Sequence, residues 1–136
     1  SLVMALTQFN TTFHLISPTE LKLPSSVKMY IKDANLEYHQ YTEITDAIPK
    51  IDILYMTRSQ RERFSDPMEH ERVKNSYILK NSMLEKSRQN VKILHPLPRV
   101  NEINEDVDPN PKAYYFQQAL NGVFVRQALI AKSLGV

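Results

Sequence analysis

Along the chain, near-continuous apolar runs take turns with stretches whose apolar residues recur at helical spacing. Four runs predict buried strands, at residues 11–16, 51–57, 76–79 and 91–94. The second of these contains Ile51, Ile53, Leu54, Tyr55 and Met56 and leaves almost no polar face, which is how a strand covered on both sides of a parallel sheet reads. Residues 37–41 instead alternate polar and aromatic side chains, predicting a half-exposed edge strand. Val27, Tyr30, Ile31 and Ala34 fall at i, i+3, i+4 and i+7 behind Pro24-Ser25-Ser26, predicting an amphipathic crossover helix with a proline-marked start. Shorter helices are predicted at 43–48, 67–74 and 82–88. One long helix is predicted at 114–134, with Phe116, Ala119, Leu120, Val123, Gln127 (the one polar exception), Ile130 and Leu134 on its stripe and a weak point at Asn121-Gly122. Alternation of strand and helix predicts an α/β fold: an open, mainly parallel sheet of about five strands flanked by helices and joined by right-handed crossovers.

Size and composition narrow this picture. At 136 residues the chain fits a single domain, 1–136, with its own core. With 42% hydrophobic and 24% charged residues, the whole of it is expected to fold. No apolar run approaches the ~20 residues of a membrane helix and the first residues do not read as a signal peptide, so a cytoplasmic location is the default expectation, with no membrane partner. Seventeen basic residues against fifteen acidic ones, spread along the chain, give no basic stripe and no expectation of a nucleic-acid partner. Absence of cysteine removes thiolate chemistry and Cys-type metal sites, and His14, His39, His70 and His95 show no paired ligand spacing, so no metal is expected. Two glycines, Gly122 and Gly135, are too few for a phosphate-binding glycine loop. The opening segment, Ser1 to Phe9, already has a helical apolar pattern, as though the chain starts partway through a larger protein or has a trimmed terminus.

Two constellations carry candidate chemistry. The apolar run at 51–57 ends in Thr57-Arg58-Ser59-Gln60-Arg61-Glu62-Arg63, and ligands bind at the carboxyl edge of open α/β sheets. Arg58 offers a planar fork for a carboxylate and Gln60 both a donor and an acceptor. The same arginines read equally as solvated side chains paired with Glu62, Asp66 or Glu69. The second constellation, His95-Pro96-Leu97-Pro98-Arg99, follows the run at 91–94 and so falls on the same edge. Its prolines remove backbone donors and can leave carbonyls directed into a cleft, or do no more than turn the chain.

Residues 52–63, the segment His95-Pro96-Leu97-Pro98-Arg99-Val100-Asn101-Glu102-Ile103, and Asp106-Val107-Asp108 with Tyr115-Phe116-Gln117-Gln118-Ala119-Leu120-Asn121-Gly122 together resemble the aspartate carbamoyltransferase family, in family order and across essentially the whole chain. The resemblance implies the Rossmann-like second domain of that enzyme, which binds aspartate, with the amino-terminal carbamoyl-phosphate domain and its Ser-Thr-Arg-Thr loop lying outside these residues. It implies that Arg58 and Gln60 bind the carboxylates of aspartate and that the backbone carbonyls of Pro96 and Leu97 meet the carbamoyl and amino groups. Glu62, Arg63 and Pro98 would support the loops, with Leu97-Pro98 in the cis form. The sister family that uses ornithine has cysteine where Pro96 stands, so aspartate is the expected acceptor. The implied partners are L-aspartate, carbamoyl phosphate and the missing domain, in a homotrimer that leaves room for a regulatory chain. No cofactor is implied. These 136 residues alone are expected to be inactive, with a non-catalytic aspartate-binding or regulatory module as the alternative. Leu2, Val3, Leu6, Phe124 and Ile130 are expected to form apolar surface at the join between domains.

Overall fold

A computed structural model describes residues 1–58 and 77–136. The predicted helix at 67–74 and the site candidates Gln60, Glu62 and Arg63 lie outside the described residues. Contacts divide the chain into two compact units, Ser1–Pro49 and Lys50–Val136.

In the first unit, α1 (Leu2–Leu6) packs on α2 (Ser25–Asp33), and α2 connects the parallel strands β1 (Phe13–Ile16) and β2 (Tyr38–Tyr41). Parallel strands need such a crossover because the chain must return to the same end of the sheet. The helix begins at Ser25, directly after Pro24, as its sequence predicts. It ends in a Schellman arrangement: Asn35 adopts φ 55°, its N–H donates to the Lys32 carbonyl at 2.9 Å, and the Leu36 N–H donates to the Ile31 carbonyl at 3.0 Å. Asparagine tolerates this left-handed conformation better than most residues. Phe13, Ile31, Ile44, Ala47 and Ile48 form the core, the last three from α3 (Ile44–Ala47) and the 3-10 turn that follows it.

The second unit is built around β3 (Ile53–Tyr55) and β4 (Lys92–Leu94), paired in parallel with Ile53 opposite Lys92, Leu54 opposite Ile93 and Tyr55 opposite Leu94. On its other side β4 pairs with the chain at Ala113, where the Ile93 N–H donates to the Lys112 carbonyl and the Tyr114 N–H to the Ile93 carbonyl. The run predicted at 76–79 appears as an isolated parallel bridge, Leu79 with Ile103. Leu54, Met56, Leu79, Leu84, Val91, Ile93, Ile103, Val107 and Tyr115 are buried.

The α/β class with parallel strands is therefore present, but among the described residues the strands form two pairs and no single five-stranded sheet. Nor is β3 covered on both faces. Leu54 and Met56 are buried, whereas Ile53 is 59% exposed and Tyr55 37%. The pleat sends alternate residues to opposite faces, and the packed core of this unit occupies one of them. The helix predicted at 82–88 is a 3-10 segment, Asn81–Lys86. The long helix α4 (Tyr115–Leu134) runs unbroken through Asn121-Gly122, so the expected weak point does not interrupt it. Gly135, at φ 75°, closes α4, with the Val136 N–H reaching the Ala131 carbonyl at 3.1 Å.

Candidate functional site

The register of β3 and β4 decides what shares an edge. Tyr55 faces Leu94, and the Met56 N–H donates to the Leu94 carbonyl at 2.9 Å, so both strands run out together. Two residues past Met56 comes Arg58, exposed, while His95 begins the proline turn directly after Leu94. Of the first constellation only Thr57 and Arg58 are among the described residues, and the parallel register carries them and the His95 turn off the same end of the ladder.

The turn has an unusual backbone. Leu97-Pro98 is cis, as the resemblance implies, and Leu97 itself sits at φ 49°. A left-handed conformation costs a non-glycine residue roughly 1–2 kcal/mol, so surrounding contacts must hold it. Those contacts come chiefly from His95, 2% exposed, and Glu102, 6% exposed. The Leu97 N–H donates to His95 Nδ1 at 2.8 Å. A backbone N–H can only donate, so Nδ1 carries no proton, and it is Nε2–H that donates to Glu102 Oε1 at 2.7 Å. The other carboxylate oxygen of Glu102 accepts the N–H groups of Val100 at 3.2 Å and Asn101 at 3.1 Å. Finally, the His95 N–H donates to Gln118 Oε1 on α4 at 3.0 Å. Every bond in this chain restrains the segment from His95 to Asn101.

A second cluster holds the far side of the turn. The Arg99 guanidinium donates to both oxygens of Asp108, through Nη1 to Oδ1 and through Nη2 to Oδ2 at 2.6 Å, and Nη1 also reaches the Tyr115 hydroxyl at 3.1 Å. The Tyr115 hydroxyl in turn donates to Asp108 Oδ1. Arg99 lies 5.5 Å from the centroid of the Tyr115 ring and 6.0 Å from that of Phe116. Arg99 thus works inward on the scaffold.

These environments shift the ionisable groups in consistent directions. Burial, the largest influence on Glu102, opposes its ionisation, but the N–H groups of its own backbone and of Val100, together with His95, outweigh burial and hold the carboxyl below its ordinary value. Asp108 is held low first by its bond from Arg99, against burial and with help from Tyr115. Burial and the Asp108 bond push Tyr115 up to about 12. The Asp108 bond likewise keeps Arg99 charged, with its own burial the opposing influence. The site therefore combines an exposed cation, Arg58, with a rigid proline turn whose supporting carboxylates are ionised at neutral pH.

Sequence reasoning placed Arg58, Pro96, Leu97 and Pro98 but did not single out His95, Glu102, Asp108, Tyr115 or Gln118 as its supports. The available signal was the presence of polar residues, His95 and Glu102, on either side of a proline turn between apolar runs. Among the described residues no cluster of metal-ligating side chains occurs, and no helix is long and apolar enough to cross a membrane.

A family profile described as Aspartate/ornithine carbamoyltransferase, Asp/Orn binding domain, matches residues 1–132. The chain is 60% identical over its full length to an aspartate carbamoyltransferase catalytic subunit of Bacteroides thetaiotaomicron and 48% identical to that of Clostridium novyi. It spans 44% and 45% of the length of these relatives. Among solved structures, the catalytic subunit of M. jannaschii aspartate transcarbamoylase superposes with a TM-score of 0.87 at 43% identity, covering 96% of this chain and 44% of that one. Aspartate transcarbamoylase from Trypanosoma cruzi, in complex with carbamoyl aspartate and phosphate, superposes with a TM-score of 0.79 at 28% identity, covering 96% of this chain and 41% of that one.

Proposed function

Since the chain belongs to the aspartate/ornithine carbamoyltransferase family, as its Asp/Orn-binding domain, we propose that it is the amino-acid-binding half of an aspartate carbamoyltransferase. The complete enzyme would transfer the carbamoyl group of carbamoyl phosphate to L-aspartate, giving N-carbamoyl-L-aspartate and phosphate for pyrimidine biosynthesis. The observation that supports this best is the shared edge of β3 and β4, from which the chain runs on to Arg58 on one strand and into the cis-proline turn on the other.

In this reading Arg58 and Gln60 hold the carboxylates of aspartate, since a guanidinium fork matches a carboxylate in shape and charge. The carbonyls of Pro96 and Leu97 accept from the amino group of aspartate and from the carbamoyl amide. Glu62, Arg63 and Pro98 keep the loops in place. The neutral amine of aspartate attacks the carbamoyl carbon, a tetrahedral intermediate forms, and phosphate leaves with the C–O bond electrons and takes up the proton that the amine nitrogen gives up. Catalysis by these residues is by orientation: they fix the nucleophile near its target and add no covalent step. The phosphate-binding wall belongs to the remainder of the enzyme, which would work in the cytoplasm as a homotrimer. Pro96, in place of the cysteine of ornithine-using relatives, favours aspartate as the acceptor.

The test is turnover by the full-length enzyme containing this domain, with carbamoyl phosphate and either aspartate or ornithine. Carbamoyl aspartate is the expected product, and the 136-residue chain alone should form none. Arg58→Ala should lower kcat/KM for aspartate on the order of a hundred-fold, the usual scale for losing one partner of a well-ordered charge pair. Ornithine consumption, or an Arg58→Ala enzyme that binds aspartate normally, would refute the proposal.

A further inference from the structure

We propose that His95 is a positioning residue, whose Nδ1 acceptor holds Leu97 in its left-handed conformation and so presents the carbonyls of Pro96 and Leu97 to the acceptor amino acid. This rests on the reading of the turn as part of the aspartate site. It goes further, by assigning the shape of that site to a side chain that need not touch substrate.

The geometry separates two functions within one ring. Nδ1 accepts the Leu97 N–H at 2.8 Å, an arrangement in which a side-chain acceptor captures the backbone two residues on, as in an Asx-turn. Nε2–H donates to buried Glu102 at 2.7 Å, and this bond fixes both the ring plane and the tautomer that leaves Nδ1 bare. Glu102 is itself fixed by the Val100 and Asn101 N–H groups, and the His95 backbone by Gln118. Leu97, at φ 49°, is the one residue of the turn whose backbone is disfavoured, and it is the residue the ring grips. Without the acceptor, Leu97 spends less time in this conformation. A binding site populated a tenth of the time has a tenfold weaker apparent affinity, with little change in rate once substrate is bound.

Two substitutions split the functions. His95→Gln keeps a donor that reaches Glu102 but has no acceptor at the Nδ1 position. His95→Asn keeps an acceptor for the Leu97 N–H but does not reach Glu102. In the full-length enzyme, H95Q should raise KM for aspartate about tenfold with kcat little changed. H95N should return KM most of the way to the unsubstituted value. Both remove buried ring volume, so both should lower the melting temperature, and activity should fail to follow stability. If the two variants lose affinity equally, or if KM follows melting temperature across them, His95 is merely structural and the inference is overturned. Normal KM in H95Q overturns it too. These outcomes are read on an enzyme that already carbamoylates aspartate. If the unsubstituted enzyme does not, the functional proposal fails first and takes the positioning role with it.

Discussion

At the scale of single residues, the site is a few polar groups whose cost of burial is met by bonds to backbone N–H groups and to one another. Glu102 and Asp108 both have carboxyl values below the ordinary 4.5 and 3.8 of their types, although burial pulls each the other way. A carboxyl lowered on folding contributes stability that is complete above its unfolded value and is lost as pH falls through its folded value. Stability should accordingly be level toward neutrality and begin to fall below about pH 4.5, the ordinary value for Glu102, with Asp108 adding to the loss at lower pH. Glu102→Gln and Asp108→Asn should each lower stability at pH 7 and flatten this acid decline. Urea unfolding of the full-length enzyme between pH 3 and 7, roughly the range over which carboxylates titrate, checks it. A variant whose acid decline is as steep as the parent's would exclude that carboxyl as a contributor. Tyr115, pushed up to about 12, stays a donor to Asp108 throughout this range.

At the scale of elements, α4 shows what pattern reading captures and what it misses. Its apolar repeat located the helix to within a residue, because a 3.6-residue period is a property of local sequence. Asn121-Gly122 suggested a weak point because both residues favour turns, yet backbone hydrogen bonding continues through them. Gly122 is helical and needs no left-handed freedom, and a Cβ there would meet Arg126 Nη1 at 2.9 Å, the far end of a side chain that can move. Gly122→Ala should therefore stabilise the protein by about 0.5–1 kcal/mol, read as a rise in urea midpoint with an unchanged slope; destabilisation would mean that Arg126 is held where it is. The site divides along the same line. Arg58 and the prolines could be nominated as candidates because strand ends can be read from the chain and ligands gather there. His95 and Glu102 were not, since their bond joins residues seven apart through a turn whose shape depends on Leu97 leaving the usual backbone regions. The size of the sheet was less legible for a related reason: apolar runs reveal strands, but how many join one ladder depends on tertiary pairing, and the described residues show two parallel pairs.

At the scale of the whole chain, α4 carries an apolar stripe that its own unit leaves largely uncovered. Phe116, Leu120, Val123, Ile130 and Leu134 are 47–73% exposed, and Tyr115 alone of the helix is buried. Their spacing, with Gln127 completing the series, steps by four and three residues, the alternation that forms a continuous seam along a helix. From Phe116 to Leu134 the seam is about 27 Å long at 1.5 Å per residue. Phe124 flanks it, also exposed. Monomers rarely leave contiguous apolar patches larger than a few hundred Å² in water, and removing apolar area from solvent is favourable at about 25 cal/mol per Å². Prepared by itself, the 136-residue chain should self-associate through α4, with an apparent mass that rises with concentration in sedimentation or light scattering. Val123→Glu combined with Ile130→Glu places two charges in the seam and should return it to a monomer, since burying an unpaired carboxylate costs more than the seam gains at that point. Neither residue contributes to the supports around His95, so circular dichroism of the double variant should be unchanged. A parent chain that stays monomeric well above micromolar concentration would show that the seam is too narrow or too mobile to drive association.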